Sequence, residues 1–185
     1  AVEELLGAFG PAVYSTDGRT LETVVGDLLR ARGMTIAVAE SCTGGLLASR
    51  LTDVPGSSDY VERGAVCYSN RAKVEMLGVP ADLIEAHGAV SEPVARAMAE
   101  GIRARAGVNV GVAVTGIAGP SGGSAQKPVG TVFIAAIADD QVRARAFQFL
   151  GGRDLVKFQA AQSALNMVRL MLLGVEGGRE WAERI

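Results

Sequence analysis

Two patterns of apolar residues alternate along the chain: helical spacing, and short continuous runs of strand length. After Thr20, leucine and valine recur at i, i+3, i+4, i+7 and i+8 between Leu21 and Leu29, and Gly33 follows. Thr is a favoured N-cap and Gly a favoured stop, so this segment is predicted to be a helix. Further helices are predicted at 46–54, at 70–77 with Asn70 as cap, from Pro80, at 91–102, and at 154–173 with Leu155 and Phe158 among its apolar positions.

Apolar runs of strand length lie between these helices, at 34–39, 61–69, 108–115, 130–138 and 141–150. The last two meet at Asp139-Asp140, a hairpin-type connection that predicts an antiparallel pair. Helices between the other strands would cover both faces of a sheet. We therefore predict an α/β fold: a three-layer α/β/α sandwich with a five-stranded mixed, mostly parallel sheet.

The amino-acid composition narrows the class of protein. The chain has 185 residues, 49% of them hydrophobic, which is enough for the core of one domain, and its formal net charge is −2. This charge argues against non-specific binding to nucleic acid, which needs a basic surface. No uncharged apolar stretch of about 18 residues exists to span a membrane, and no signal peptide is visible, so we expect a cytoplasmic protein.

The chain has few cysteine and histidine residues that could bind a metal or form disulfides. Two cysteines, Cys42 and Cys67, cannot form a disulfide framework, and His87 is the single histidine. Together with the lack of a CxxC pair, this argues against a structural zinc site. We expect neither a metal nor another cofactor.

Polar residues follow three of the predicted strands, at 40–45, 68–73 and 115–119. In open α/β sheets, ligands collect at the carboxyl ends of the strands. We therefore expect these three segments to form one site.

Ser41 lies between a predicted buried strand and a helix start. The backbone N–H groups of Cys42, Thr43, Gly44 and Gly45 would then be free donors for an oxyanion or a phosphate. The alternative is that Ser41 or Thr43 only caps the helix. Cys42 is a rival nucleophile, because a helix N-terminus lowers the pKa of a thiol. Its side chain is nevertheless expected to point away from that of Ser41 and to pack as an apolar residue.

A serine nucleophile needs a base. His87 is one candidate, although its position at a predicted helix end also suits a structural role. The other candidate is a lysine with a lowered pKa, since a desolvated amine loses its charge and a guanidinium does not. The chain has only three lysines against fifteen arginines, and Lys73 follows the second strand. Lys73 could instead be a solvated charge on a helix.

Four further residues are candidates for the site. Tyr68 is placed on the second strand, with its ring expected against a packed layer and its hydroxyl at the rim. Thr115 and Gly116 open a glycine-rich loop, 116–130, that could cradle an anion or could be a plain excursion between strands. Arg153 could bind a carboxylate or a phosphate through two N–H donors, or could be a surface residue.

Six motifs in these segments carry a family resemblance. In chain order they are A-E-S-C-T-G-G at 39–45, P-G-S-S at 55–58, Y-S-N-x-x-K at 68–73, H-G-A-V-S at 87–91, V-T-G-I-A-G-P at 114–120 and K-P-V-G-T at 127–131. The chain thereby resembles the C-terminal domain of CinA, the competence/damage-inducible protein, a family whose members also occur alone as bacterial nicotinamide mononucleotide (NMN) deamidases. The resemblance extends over about 20–173.

The resemblance implies a fold, an activity and a set of residue roles. The fold is again a three-layer α/β/α sandwich with a mixed sheet. The activity is hydrolysis of the carboxamide of NMN to nicotinic acid mononucleotide and ammonia, without a metal. Ser41 would be the nucleophile and Lys73 its base, with Tyr68 beside them. Thr115 would belong to the site, and Arg153 would meet the substrate.

The resemblance also implies the organisation and the partners of the chain. Residues 1–19 would correspond to the junction that follows a molybdopterin-cofactor-binding-like domain in full-length CinA, 20–173 to the CinA C-terminal domain, and 174–185 to a loosely ordered tail. Expected partners are NMN, further copies of the chain in a homo-oligomer, and that upstream domain, with no direct contact to nucleic acid. The alternative function is a non-catalytic nucleotide-binding or oligomerisation module of full-length CinA.

Overall fold

A five-stranded sheet with strand order β2-β1-β3-β4-β5 runs through the middle of the molecule. The computed structural model describes residues 2–175. The strands are β1 (Ile36–Glu40), β2 (Val61–Val66), β3 (Val110–Gly116), β4 (Thr131–Ala138) and β5 (Gln141–Gln148). The helices are α1 (Val2–Phe9), α2 (Leu21–Arg32), α3 (Leu46–Thr52), α4 (Asn70–Leu77), α5 (Ala81–His87), α6 (Glu92–Ala106) and α7 (Arg153–Leu172).

The sheet is mixed because one strand runs against the others. β1 pairs with β2 and with β3 in parallel, whereas β4 is antiparallel to both β3 and β5. The predicted antiparallel pair at Asp139-Asp140 is therefore confirmed, as is the three-layer α/β/α sandwich. The β3–β4 pair is antiparallel too, so the glycine-rich segment between these strands is a returning loop and needs no crossover helix.

The sheet has one hydrophobic core on each face, and side chains of the inner strands point alternately into the two cores. In β1, Ile36 and Val38 pack with α2, α3 and α7, whereas Ala37 and Ala39 face α4, α5 and α6. Successive side chains of a strand point to opposite faces, so a continuous apolar run of this kind is buried on both sides. These two cores fix the carboxyl end of β1 between the helical layers.

Capping residues set the helix boundaries. The hydroxyl of Thr20 accepts the N–H of Thr23 at the start of α2, and Gly33 ends that helix with φ 61°. At α4 the cap is Ser69, whose hydroxyl accepts the N–H of Ala72, and not the expected Asn70. Moving the cap by one residue leaves the side chain of Asn70 in the first helical turn.

Two expectations about packing are wrong. β2 ends at Val66 and does not continue to position 69, so Tyr68 lies beyond the sheet. On α7, Leu155 and Phe158 are 51% and 50% exposed, because the buried face of the helix starts instead at Val156 and Ala160.

Two further expectations concern the chain as a whole. Among residues 2–175, no helix is long and apolar enough to cross a membrane. The expected tail at 174–185 falls mainly on residues 176–185, which lie outside the described residues.

Candidate active site

Ser41 is fixed at the carboxyl end of β1, which lies between β2 and β3. All five residues of β1 are buried, and the N–H of Ser41 donates to the carbonyl of Val114 on β3 at 2.9 Å. Ser41 is itself only 8% exposed. The serine therefore extends the pairing of β1 with β3 by one residue, which leaves its hydroxyl at the strand end where ligands of such sheets bind.

Lys73 reaches the same point from α4. Side chains of a helix lean toward its N-terminus, which carries the amine of Lys73 back to the end of β2. Its Nζ lies 3.2 Å from Ser41 Oγ, 2.9 Å from the carbonyl oxygen of Cys67 and 3.2 Å from that of Tyr68. Lys73 is 1% exposed, so this amine is not the solvated helix charge of the alternative interpretation.

Burial changes the acid–base behaviour of this amine. Desolvation lowers the pKa of Lys73 from its ordinary value, with the nearby Cys67 and Cys42 as smaller opposing influences. No carboxylate forms an ion pair with Lys73 in the described part of the chain. A lysine without a nearby anion has little to hold its proton once it leaves water.

The three partners of Lys73 fit a neutral amine. An uncharged amino group has two N–H donors and one lone pair. The two carbonyls can take the two hydrogens, and the hydroxyl of Ser41 can then donate to the lone pair. The same three contacts also accommodate an ammonium group, so a proton can pass between Oγ and Nζ with little movement of either residue.

The turn after Ser41 differs from expectation. The carboxylate of Glu40 accepts the N–H of Gly45 at 3.0 Å and two further N–H groups in the first turn of α3. The N–H of Gly44 donates to the carbonyl of Ser41 at 3.1 Å. Gly44 and Gly45 are therefore not free donors, and an anion at the start of α3 would meet a carboxylate already in place. Within residues 2–175, no other residue accepts the N–H of Cys42 or Thr43, so these two remain of the four expected.

Cys42 behaves as the packed residue that the sequence favours. It is 5% exposed and belongs to the core formed with α2, α3 and α7. Burial raises the pKa of its thiol to about 11, so it is protonated near neutral pH. Because the thiolate is the reactive form, burial disfavours Cys42 as a nucleophile.

Ser41, Lys73 and Thr115 form the floor of a cavity of about 310 Å³, and Tyr68, Arg153 and the loop 117–122 form its rim. Asn70, Cys42, Ala89, Val90 and Gly116 complete the lining.

Thr115 and Gly116 connect the floor to the loop. The hydroxyl of Thr115 donates to the carbonyl of Ala89 at 2.8 Å, and the residue is 1% exposed. A Cβ at Gly116 would come within 2.6 Å of Val132 Cγ2, so only glycine lets β3 lie this close to β4 at the point where the loop begins.

The rim is held by Arg153, the first residue of α7. Its guanidinium donates to the carbonyl of Gly119 at 2.9 Å and to the hydroxyl of Tyr68 at 3.2 Å. Tyr68 is 61% exposed, and its ring does not face a packed layer as expected, because β2 has already ended. Its backbone carbonyl lies in the floor, bound to Lys73, while its side chain stands at the rim.

His87 is separated from Ser41. It is exposed at the end of α5 and does not line the cavity; its carbonyl accepts the amine of Lys127 at 2.9 Å. The structure therefore brings Lys73, and not His87, to the serine. No group of three or more His, Cys, Asp or Glu side chains in the described ranges could hold a metal ion.

Glu40 is the residue of this region that sequence reasoning left without a role. It is 1% exposed and accepts three backbone N–H groups of the turn and α3. The sequence contains one indication of this role: a glutamate at the end of an apolar run, directly before a helix start, must accept hydrogen bonds if it is buried.

These observations define a class: a three-layer α/β/α domain with a buried serine–lysine pair at the carboxyl end of its central parallel strand. The family model described as the CinA C-terminal domain matches residues 18–172. The chain belongs to the CinA family, as the six motifs indicated.

Relatives and solved structures agree with this assignment. A CinA-like protein of Geotalea daltonii is 54% identical over 164 residues, which are 89% of this chain and 40% of that protein. One from Anaeromyxobacter sp. (strain K) is 52% identical over 170 residues, with 92% and 42% covered. The chain thus spans about two fifths of the length of these curated relatives.

The solved structures are closer to this chain in length. The competence/damage inducible protein CihA from Agrobacterium tumefaciens superimposes with a TM-score of 0.80 at 42% identity, covering 83% of this chain and 93% of that one. A CinA superfamily protein from Escherichia coli gives a TM-score of 0.77 at 34% identity, with 89% and 98% covered. The fold therefore extends over nearly the whole of each of these chains.

Proposed function

We propose that this domain is a metal-independent amidohydrolase that converts NMN to nicotinic acid mononucleotide and ammonia through Ser41 and Lys73. The observation that carries the proposal is the buried Nζ of Lys73, which lies 3.2 Å from Ser41 Oγ and forms no ion pair with a carboxylate of residues 2–175. A serine becomes nucleophilic when an adjacent base takes its proton. The family resemblance supplies the choice of NMN as substrate.

The first half of the reaction forms an acyl-enzyme. Neutral Lys73 takes the hydroxyl proton of Ser41 as Oγ attacks the carboxamide carbon, which gives a tetrahedral oxyanion. The N–H groups of Cys42 and Thr43, which no other residue of 2–175 accepts, are the donors proposed for this oxyanion, and Cys42 lines the cavity. Lys73 then passes its proton to the leaving nitrogen, the C–N bond breaks, and ammonia departs.

The second half returns the enzyme to its starting state. Water enters the position left by ammonia and gives a proton to Lys73 as it attacks the acyl carbon. The bond from that carbon to Ser41 Oγ breaks, and the proton returns from Lys73 to the serine. The products are nicotinic acid mononucleotide and the free Ser–Lys pair, so that one water is consumed for each ammonia released.

The rest of the nucleotide is proposed to lie at the rim. Arg153 carries a positive charge beside the loop 117–122, and a guanidinium pairs well with a phosphate. Its contacts with Gly119 and Tyr68 use two of the five N–H donors of the guanidinium, so three remain for a phosphate. The hydrogen bond to the Tyr68 hydroxyl is also exposed, so exchanging it for a phosphate would cost little, whereas the carbonyl of Gly119 is buried and would keep its donor.

Release of ammonia from NMN by the purified chain tests the proposal. We expect stoichiometric ammonia and nicotinic acid mononucleotide, unchanged by a chelator such as EDTA. Loss of turnover in chelator, restored by a divalent ion, would contradict the metal-free mechanism. Absence of turnover in a folded chain that still binds NMN would favour the alternative, a non-catalytic nucleotide-binding module of a longer CinA protein.

A further inference from the structure

The carboxylate of Glu40 is buried at the junction of β1 and α3 and accepts three backbone hydrogen bonds. Oε2 accepts the N–H groups of Gly45 and Leu47, each at 3.0 Å, and Oε1 accepts that of Ala48 at 2.8 Å. No lysine or arginine forms an ion pair with it in the part of the chain that is described. Its carboxylate therefore binds backbone alone, and it closes the turn 41–45 onto the first turn of α3.

The backbone of Glu40 is linked to the lysine as well. Its carbonyl accepts the N–H of Cys67 at 2.7 Å, and the carbonyl of that same Cys67 accepts Lys73 Nζ at 2.9 Å. Ser41 is its covalent neighbour. Glu40 is therefore connected to both members of the pair: to Ser41 through the peptide bond, and to Lys73 through hydrogen bonds to the backbone of Cys67.

We propose that Glu40 is the positioning residue of the Ser–Lys pair. Its carboxylate holds the turn 41–45 in the one arrangement that keeps Ser41 Oγ within hydrogen-bond distance of Lys73 Nζ. By taking the donors of α3 it also leaves the N–H groups of Cys42 and Thr43 as the ones that no other residue of 2–175 accepts. This proposal rests on the proposed function, since it assigns the pair a reaction to perform.

The effect on rate follows from geometry. A displacement of about 1 Å in a reacting group can cost about 100-fold in rate, because the reacting atoms must be nearly in contact. A Gln at position 40 keeps the length of the side chain and one acceptor oxygen. Its NH₂ group, however, would face the backbone N–H of Ala48 or of Gly45 and Leu47, so part of the network must open.

The experiment compares Glu40→Gln and Glu40→Ala with a matched control, Glu22→Gln. Glu22 is also a largely buried carboxylate tied to α3, through an ion pair with Arg50 at 2.7 Å, but it does not line the cavity. Each variant is measured for kcat and KM on NMN, for its pH profile, for its thermal midpoint, and for labelling of Ser41 by a fluorophosphonate. That probe forms an Oγ–P bond and releases fluoride, so it reports on the serine without NMN.

We expect Glu40→Gln to lower both kcat and the labelling rate about tenfold and Glu40→Ala about 100-fold, with KM within about twofold of the wild type. The pH midpoint should not rise, because removing the Glu40 carboxylate takes away a negative charge and cannot stabilise the protonated amine of Lys73. Glu22→Gln should lower the thermal midpoint and leave labelling and kcat unchanged. If Glu40→Ala does not fold, Glu40→Gln alone decides.

Wild-type labelling and kcat in a folded Glu40→Gln variant would overturn the proposal, as would equal losses in Glu22→Gln. A wild-type protein that labels at Ser41 but does not turn over NMN would refute only the substrate, and the labelling rates would still decide the role of Glu40. A wild-type Ser41 that neither labels nor turns over would overturn both proposals.

Discussion

The floor and the rim of the cavity are built in different ways. The floor residues Ser41, Lys73 and Thr115 are almost fully buried, and each is held by at least one hydrogen bond to a backbone carbonyl. The rim side chains of Tyr68 and Arg153 are exposed and share one hydrogen bond.

The difference separates chemistry from binding. A buried polar group that moves leaves its partner unsatisfied, at about 1–3 kcal/mol, whereas an exposed one exchanges its partner for water at little cost. Groups that must keep a fixed distance therefore belong in the floor, and groups that must adapt to a ligand belong in the rim. Substitutions in the floor should change kcat, and substitutions in the rim should change KM.

The largest effect is expected from Ser41→Ala. Removing the nucleophile should lower kcat on the order of 10⁵-fold, because no acyl-enzyme can form. The fold should remain intact, as the N–H of Ser41 that pairs with Val114 is still present. The measurement is ammonia release together with circular dichroism. Near-native turnover would exclude Ser41 and make Cys42 the next candidate.

The variant Lys73→Arg tests whether Lys73 acts as a base or only supplies a positive charge. A guanidinium does not give up its proton, so this variant should lose about 10³-fold in kcat, nearly as much as Lys73→Ala. An arginine enzyme with most of the wild-type activity would make Lys73 a binding residue.

The pH dependence of the wild type tests the same residue. Burial lowers the pKa of Lys73, and the base is active when neutral. Activity should therefore rise with pH through this lowered pKa, below 10.5, and level off above it. Turnover of NMN between pH 6 and 10 measures this. A rate that falls as pH rises across the whole range would contradict the assignment.

Arg153→Ala is the corresponding test of the rim. Loss of the proposed phosphate partner should raise KM about tenfold and change kcat by less than about threefold. Tyr68→Phe removes only the hydroxyl that accepts from Arg153, so a smaller rise in KM is expected. A large fall in kcat with KM unchanged would mean that Arg153 acts in the floor and that the distinction drawn above fails there.

The smallest effect is expected from Cys42→Ala. The thiol has a pKa of about 11 and packs in the core, so kcat should stay within about twofold of the wild type. Treatment with iodoacetamide should likewise leave the native enzyme active. Inactivation by iodoacetamide that is prevented by Cys42→Ala would show that this thiol is more reactive than its burial implies.

The sequence predicts the fold well because its signals are local. Helix α2 begins after Thr20 and ends at Gly33 as expected, since capping residues act within a few residues of the helix end. The end of β2 was misplaced because it depends on a distant contact. Cys67 donates to Glu40 on the neighbouring strand, and the chain then leaves the sheet, so Tyr68 reaches the rim although its apolar context resembles a strand.

The site was only partly predictable for the same reason. The contact between Lys73 and Ser41 joins residues 32 positions apart. The scarcity of lysine and the position of Lys73 after the second strand favour it over His87, but only the family resemblance assigns it to Ser41. The bonds from Glu40 to Gly45 and Ala48 span five and eight residues, and no spacing rule covers a strand residue that folds back over the helix following it. Propensity describes each element alone, whereas these contacts arise where elements meet.

The reversed direction of β4 has a consequence for how such domains can diversify. Because β4 is antiparallel to β3, the loop between Gly116 and Thr131 leaves and re-enters the sheet at one edge, beside Ser41. Its length is not tied to the span of a crossover helix, so insertions, deletions or grafts there need not disturb the strand order. A lineage or a protein engineer could exchange this one hairpin to reshape the rim of the cavity while keeping Ser41 and Lys73 unchanged.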